Sequence, residues 1–383
     1  MSAPTARQSS YDALPGRVVF GAGASRRLLA AEVDRLGASR LLLIATEQER
    51  PLAQELSAVL GDRVVGVFTD VRPHVPVEVA DGARAAAREA RADALLSIGG
   101  GSTTGTAKAV ALETTLPVIA VPTTYAGSEV TPVWGMTEGR RKTTGTDRRV
   151  LTRVVVYDPD LTITLPPAIT GPSAMNAIAH CVEAFYAPGA NPITDLVAEE
   201  GIRALAGGVP VAVQRPEDRG GRSETLYGAY LAGAAFAVAG SGLHHKVCHV
   251  LGRAYDLPHA DLHTVVLPQV VAFQAPAMPG VMRRVARALG ERGGEGAAAG
   301  LHDLALAIGA PIALREIGMR EQDLDEAVGL VLEKVPADNP RPVSQQDVER
   351  LLHAAFTGRR PDGATPEADG PAPALGDESR SVT

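Results

Sequence analysis

Four short apolar runs, residues 40–45, 64–68, 94–98 and 117–121, constrain the fold more than any other feature of the chain. Each is shorter than a buried helix and apolar at nearly every position, which marks a strand covered on both faces. Stretches with helical spacing lie between them, over residues 51–60 and 77–92. Strand–helix alternation of this kind predicts a parallel sheet with helices on both sides. Residues 16–20, turned by Gly21 and Gly23, add a first strand, and residues 154–157 a last one. Ser25 is expected to cap a helix running through Leu36.

Ligands of such sheets lie beyond the carboxyl ends of the strands. The run at 94–98 leads into Gly99-Gly-Gly-Ser-Thr-Thr-Gly-Thr-Ala-Lys108. Glycines let the backbone approach a ligand, and the next helix offers free N–H groups to an anion. By mechanism this is a pyrophosphate cradle, although it has neither the G-x-G-x-x-G pattern nor the Walker lysine spacing. Taken alone, a structural turn explains it as well. The run at 117–121 ends in a second hydroxyl-rich loop, Pro122-Thr-Thr-Tyr-Ala-Gly-Ser-Glu129. Two such loops after consecutive strands favour a bound dinucleotide. Glu47, just past residues 40–45, either accepts from ribose hydroxyls and repels a 2′-phosphate, or is a solvated surface acid. Residues 136–142 read as a hairpin returning to the site.

From Ser173 the pattern is helical, over residues 174–186, 195–206, 225–243, 281–289, 296–308, 321–333 and 344–357. Six of the nine histidines fall between His180 and His263. His245 and His249 share a helix face, and Asn176 and His180 repeat that spacing. Residues 226–243 are almost wholly apolar, so these histidines are expected to end a buried helix. Pro258 stops any helix ahead of His259. A lone buried histidine is usually a satisfied core residue. Several converging on apolar helices imply a catalytic or metal pocket, because burying imidazoles costs free energy unless they bind something. Lys246 either joins that pocket or faces solvent.

A formal net charge of -7, without a basic stripe, argues against a nucleic-acid partner. Two cysteines, Cys181 and Cys248, suit a reducing cytoplasm better than a disulfide scaffold. Residues 1–10 read as a flexible N-terminus without a signal peptide. A buried helix explains residues 226–243 better than a membrane span does. Asp158-Pro-Asp160 and Leu165-Pro-Pro167 divide an α/β domain, 11–165, from a helical domain, 166–360. Residues 361–383 have little to bury and read as a disordered tail.

The Gly99–Ser102 and Pro122–Glu129 loops and the spaced histidines resemble the iron-containing (group III) alcohol dehydrogenase superfamily. Within it, His74-Val-Pro-Val-Glu-Val79, Ser173-Ala-Met-Asn-Ala-Ile-Ala-His180, His244-His-Lys-Val-Cys-His-Val-Leu251, Asp256-Leu-Pro-His-Ala260, His263-Thr-Val-Val-Leu-Pro268 and Asn339-Pro-Arg-Pro342 are similar to the maleylacetate reductase branch. The resemblance implies a dinucleotide-binding α/β domain and an all-helical domain, the architecture shared with dehydroquinate synthase, with the active site in the cleft and a homodimeric assembly. It implies reduction of the C=C bond of maleylacetate, or of a related unsaturated oxo-dicarboxylate, to 3-oxoadipate. NADH is the expected coenzyme, with NADPH as the alternative. The expected cofactor residues are Glu47, His74, Gly99, Gly100, Gly101, Ser102, Thr103, Thr123, Thr124, Ser128 and Lys142.

Metal-bearing relatives use one Asp and three His as ligands; those positions here are Asn176, His180, His245 and His259. An amide is a far weaker ligand than a carboxylate. Three histidines could still hold zinc, but no metal is expected. His249 or His245 is expected to be proton donor and oxyanion partner, with His180, His259 and Lys246 orienting the substrate. Ala174, Arg253 and Ala337 depart from the branch pattern of Gly, Gly and Tyr. They are either drift or a sign of another oxo acid, with Arg253 adding a cation close to the pocket. The rival readings are a metal-dependent alcohol or aldehyde reductase, an NAD-using lyase or synthase, and a relative that has lost turnover.

Overall fold

The computed structural model describes residues 11–14, 16–139, 141–290, 294 and 296–362. The expected flexible start (1–10) and all but the first two residues of the expected tail (361–383) lie outside them. The first half contains strands β1 (Arg17–Phe20), β2 (Leu41–Ala45), β3 (Val64–Phe68), β4 (Ala94–Gly99) and β5 (Val118–Pro122), a hairpin of β6 (Val133–Glu138) and β7 (Arg141–Thr146), and β8 (Val154–Tyr157). Helices α1 (Ala24–Arg27), α2 (Leu29–Leu36), α3 (Arg50–Leu60), α4 (Val77–Glu89) and α5 (Gly101–Thr114) connect them.

Six strands form one parallel sheet in the order β1-β8-β5-β4-β2-β3. The crossovers from β2 to β3 and from β4 to β5 run in opposite directions, so a crevice opens between the carboxyl ends of β2 and β4, where open sheets bind ligands. Gly99 on β4 pairs with Pro122 on β5. The glycine-rich and hydroxyl-rich loops therefore leave adjacent strands at one level.

Two expectations for this half need correction. Residues 64–68 are less covered than expected: β3 is an edge strand, none of its residues is fully buried, and Val67 is 54% exposed. Ser25 is not a cap. It is buried inside α1, and the Asp158 carboxylate from the end of β8 accepts from Gly23 N (2.9 Å), Ser25 N (3.1 Å) and Ser25 Oγ (2.5 Å). An ionised acceptor at a helix start outcompetes a serine hydroxyl.

The second half is helical: α6 (Pro167–Ala184), α7 (Pro192–Gln214), α8 (Arg219–Ala239), α9 (Leu243–Tyr255), α10 (His259–Gln274), α11 (Pro279–Ala288), α12 (Ala297–Ala307), α13 (Leu324–Leu332) and α14 (Gln345–Thr357). The main core runs from Ala120, Val155 and Tyr157 on the sheet to Met175, Ile178 and Leu205 on the helices. The histidine helix is not the end of the apolar one. Gly240 (φ 82°) stops α8, and α9 leaves at 100° to it. Sequence patterning missed α10, because Pro258 was read only as a stop. Proline fits equally well at a helix start, and here it is the N-cap of α10. Among the described residues, no single helix is long and apolar enough to cross a membrane.

One cation joins the halves. Arg222 on α8 is fully buried and donates to Pro216 O (2.9 Å), Thr170 Oγ1 (2.9 Å), Tyr125 OH (3.3 Å), Ile163 O (3.2 Å) and Leu165 O (2.9 Å). It ties the 122–129 loop to the interdomain linker and to two helices.

Candidate active site

The helical half gathers six imidazoles. On α6, spacings of four and three place Asn176, His180 and Glu183 on one face. The α9 helix brings His244, His245 and His249, and α10 brings His259 and His263. His245 is the hub, with ring centroids 5.1 Å from His180, 5.8 Å from His249, 4.8 Å from His263 and 5.5 Å from His244. His259 lies 4.4 Å from His263. Phe236 on α8 packs against His180 (4.5 Å) and His245 (5.1 Å).

Three members of this nest were missed in the sequence. His244 Nε2 lies 2.9 Å from His263 Nδ1, so these two form an inner layer behind the rings facing the cleft. Glu183, fully buried, makes a short hydrogen bond with His245 Nδ1. Its i+3 spacing from His180 was the available signal. Lys246 is exposed on α9, and so is Arg253, which stands one turn beyond His249 on the same face. Asn176 Oδ1, His180 Nδ1 and His263 Nε2 are buried without a hydrogen-bond partner among the described residues, so these polar atoms are available to a ligand.

Burial first, and then neighbouring positive charge, keeps these rings neutral. His180, His245 and His263 are pushed well below the usual histidine value. His244 is lowered to about 3, again mainly by burial. His249 and His259 stand at the cleft surface but are hemmed in by protein, and both are lowered to about 4. The rings therefore form a neutral nest. The standing positive charge belongs to Lys142 and Lys246, which depress His249 after burial and His259.

This has a consequence for stability. The unfolded chain binds protons at these histidines near pH 6.5, whereas the folded nest resists them until about pH 4 or below. The stabilisation is complete above the unfolded value and is lost as pH falls. The melting temperature should drop steadily from pH 7 to pH 5, and His249→Gln with His259→Gln should flatten that slope. A profile flat over this range would refute the neutral nest.

The sheet's loops face the nest. Gly127 packs on Gly233 of α8, where a Cβ would meet Gly127 O at 2.9 Å. One helical turn later α8 presents Phe236, the ring lying on His180 and His245. Lys142 and His74, both from the sheet half, lower the His259 pKa after burial. The β6–β7 hairpin thus returns to the site as expected. Thr137 donates from N to Val75 O and from Oγ1 to His74 O, both at 3.0 Å, which holds His74 (φ 63°) and Val75 (φ 50°) in a left-handed turn that side-chain-bearing residues adopt only under constraint.

The glycine-rich loop is a tight cradle. A Cβ on Gly99 would come within 2.5 Å of Thr103 Oγ1, and one on Gly100 within 3.0 Å of Thr124 Cγ2. Gly101 and Ser102 open α5. Ser97 Oγ and Thr103 Oγ1 are buried without partners among the described residues. Lys108, fully buried and lowered by that burial to about 7, donates to Ser128 O (2.6 Å), Thr131 O (2.7 Å) and Val133 O (2.8 Å), fixing the 122–129 loop from below. Glu47 is exposed, and its carboxylate is engaged by Arg50. Glu49, unremarked in the sequence, is the acid that faces Gly99 and accepts from Thr123 Oγ1 at 3.3 Å. Its pKa is raised by burial.

Residues 15–159 match the family model described as iron-containing alcohol dehydrogenase, and residues 170–356 match the C-terminal model of the Fe-containing alcohol dehydrogenase family. The chain is 49% identical to a maleylacetate reductase of Sphingobium indicum, over 92% of this chain and 99% of that one. It is 51% identical to maleylacetate reductase 2 of Cupriavidus pinatubonensis, over 91% and 96%. Among solved structures it resembles a putative alcohol dehydrogenase from Ralstonia eutropha (TM-score 0.89, 52% identity, 93% and 100% covered). It also resembles maleylacetate reductase from Agrobacterium tumefaciens (TM-score 0.89, 44% identity, 93% and 100% covered). On the fold, the facing loops and these matches, the chain is an oxidoreductase belonging to the iron-containing alcohol dehydrogenase family.

Proposed function

We propose that the chain reduces the C=C bond of maleylacetate, or of a closely related unsaturated oxo-dicarboxylate, using NADH or NADPH and no metal. The observation that carries this reading is the imidazole nest, neutral and partly unsatisfied, set opposite a glycine cradle and beside two lysines. Relatives bearing the maleylacetate reductase name at 43–51% identity support the substrate class.

The cradle at Gly99, Gly100 and Gly101, with Ser102, Thr103, Thr123, Thr124 and Ser128 around it, fits a dinucleotide pyrophosphate: a side chain there would fill the space, and free hydroxyls line it. When bound, the reduced nicotinamide supplies a hydride to one alkene carbon. The chain must then stabilise negative charge on the conjugated ketone oxygen and deliver a proton to the neighbouring carbon. Lys142 and Lys246 set a positive field at the mouth for two carboxylates. A dianion entering a neutral imidazole nest raises the pKa of those imidazoles. Its own charge thereby readies His249 or His245 to donate, while ring N–H groups hydrogen-bond the oxyanion in a dry pocket.

The donor set fits the family's iron poorly. Asn176 offers a neutral amide oxygen with no partner, and Glu183 is committed to His245 and to backbone N–H groups. A divalent cation at Asn176, His180, His245 and His259 would have no carboxylate to balance it. No step is therefore routed through a metal. NADH oxidation with maleylacetate should keep at least about half its rate after exhaustive chelation, a change of about 0.4 kcal/mol in barrier or less. Loss of activity restored by iron or zinc would instead favour a metal-dependent alcohol reductase. The free buried thiols Cys181 and Cys248 fit a reducing cytoplasm. The family resemblance supports a homodimer, and the net charge gives no reason to expect a nucleic-acid partner.

A further inference from the structure

We propose that Glu183 is a positioning residue for this reaction: it holds His245 in the tautomer with hydrogen on Nδ1, leaving Nε2 as the atom offered to the cleft. The inference rests on the functional reading above for its kinetic part, and on geometry alone for the tautomer.

Glu183 is fully buried on α6. Its Oε1 accepts from His244 N (2.7 Å), His245 N (3.4 Å) and Tyr186 OH (3.3 Å), and its Oε2 is bonded to His245 Nδ1. An ionised carboxylate only accepts, so every one of these partners is a donor. That fixes where the ring hydrogen of His245 lies. The backbone donors belong to the first turn of α9, a 13-residue helix whose N-terminal dipole favours an anion there. The chain makes room for this contact. A Cβ on Gly242 would lie 3.2 Å from Glu183 Oε1 and 2.7 Å from Tyr186 Cε2, so the turn into α9 needs a residue without a side chain. Among the described residues no other carboxylate is bonded to a ring of the nest. Asn176 has removed the anion from the position beside the reacting groups, and Glu183 keeps one a single bond further out.

A carboxylate behind an imidazole orients the ring and selects which nitrogen works; losing such a partner typically costs 10–100-fold. The test uses the full-length protein with E183Q, H245Q and the double variant. In E183Q, kcat with maleylacetate should fall about 10–100-fold, with KM for both substrates within about threefold of wild type. In the H245Q background the same change should cost less than about twofold, because its effect passes through that ring. An equal loss in both backgrounds, or an unchanged kcat in E183Q, overturns the proposal. The 15N shifts of selectively labelled histidine read the tautomer without any substrate. Wild type should show His245 protonated at Nδ1 only, and E183Q a mixture. A His245 protonated at Nε2 in wild type overturns the proposal even if E183Q fails to fold. A protein inactive on maleylacetate yet showing the Nδ1–H signature sinks the substrate reading and leaves the positioning role standing.

Discussion

Replacing His249 with alanine lowers kcat for maleylacetate reduction by about 10²–10⁴-fold, the range expected for removing a general acid. His249 is the ring of α9 that reaches the cleft surface without a hydrogen bond to any described group, so it is free to meet substrate. It also lies under the field of both Lys142 and Lys246. Burial and then His259 lower its pKa most, with these lysines next, and a bound dicarboxylate would neutralise the lysines. Under the proposed function, bound substrate is expected to favour the protonated form of His249. Because the ring makes no hydrogen bond to any described group, its removal should change the unfolding free energy at pH 7 by no more than about 1 kcal/mol. The experiment compares kcat, KM and melting temperature in His249→Ala and His249→Gln. A kcat within threefold of wild type would transfer the proton-donor role to His245.

Arg222→Ala should have the largest effect on stability, about 3–5 kcal/mol. Among the described residues the guanidinium has no carboxylate partner; three carbonyls and two hydroxyls solvate it. Removing it strands these acceptors in a dry junction, at about 1–3 kcal/mol each before water enters or the chain relaxes. Lysine cannot reproduce the fan of donors, so Arg222→Lys should recover less than half of the loss. Tyr125 is one of the partners and sits in the hydroxyl-rich loop, so KM for NADH should rise along with the fall in stability. Urea titration and coenzyme kinetics on the same samples check both. A loss below about 1 kcal/mol would mean that the junction is held by apolar packing alone.

Much of this was legible in residue order. The apolar runs fixed the parallel sheet, because hydrophobicity at consecutive positions has no other economical solution. His180, His245, His249 and His259 were found from spacing, and the structure brings them together. What spacing could not supply was depth. Glu47 and Glu49 are two residues apart, and only the path of the chain into α3 decides which one turns toward Gly99. Lys246 lies among histidines in sequence, yet its side chain is exposed while His244, His245 and Cys248 around it are buried. The neutral state of the nest follows from burial on all sides, which no local pattern encodes. The 100° break at Gly240 was hidden because apolar character continues across it. The start of α10 was hidden because proline marks beginnings as well as ends.

The hairpin has a further consequence for anyone following ligand binding. Trp134 is the chain's sole indole, and it lies on β6 flat against Gly145 of the neighbouring strand, where a Cβ would approach its ring to 2.7 Å. The same hairpin carries Lys142 to the mouth of the cleft. Indole emission overlaps the absorption of reduced nicotinamide, so this tryptophan is a native energy-transfer donor, free of background from any second one. Occupancy of the coenzyme site can thus be read optically on the unlabelled, unmodified protein.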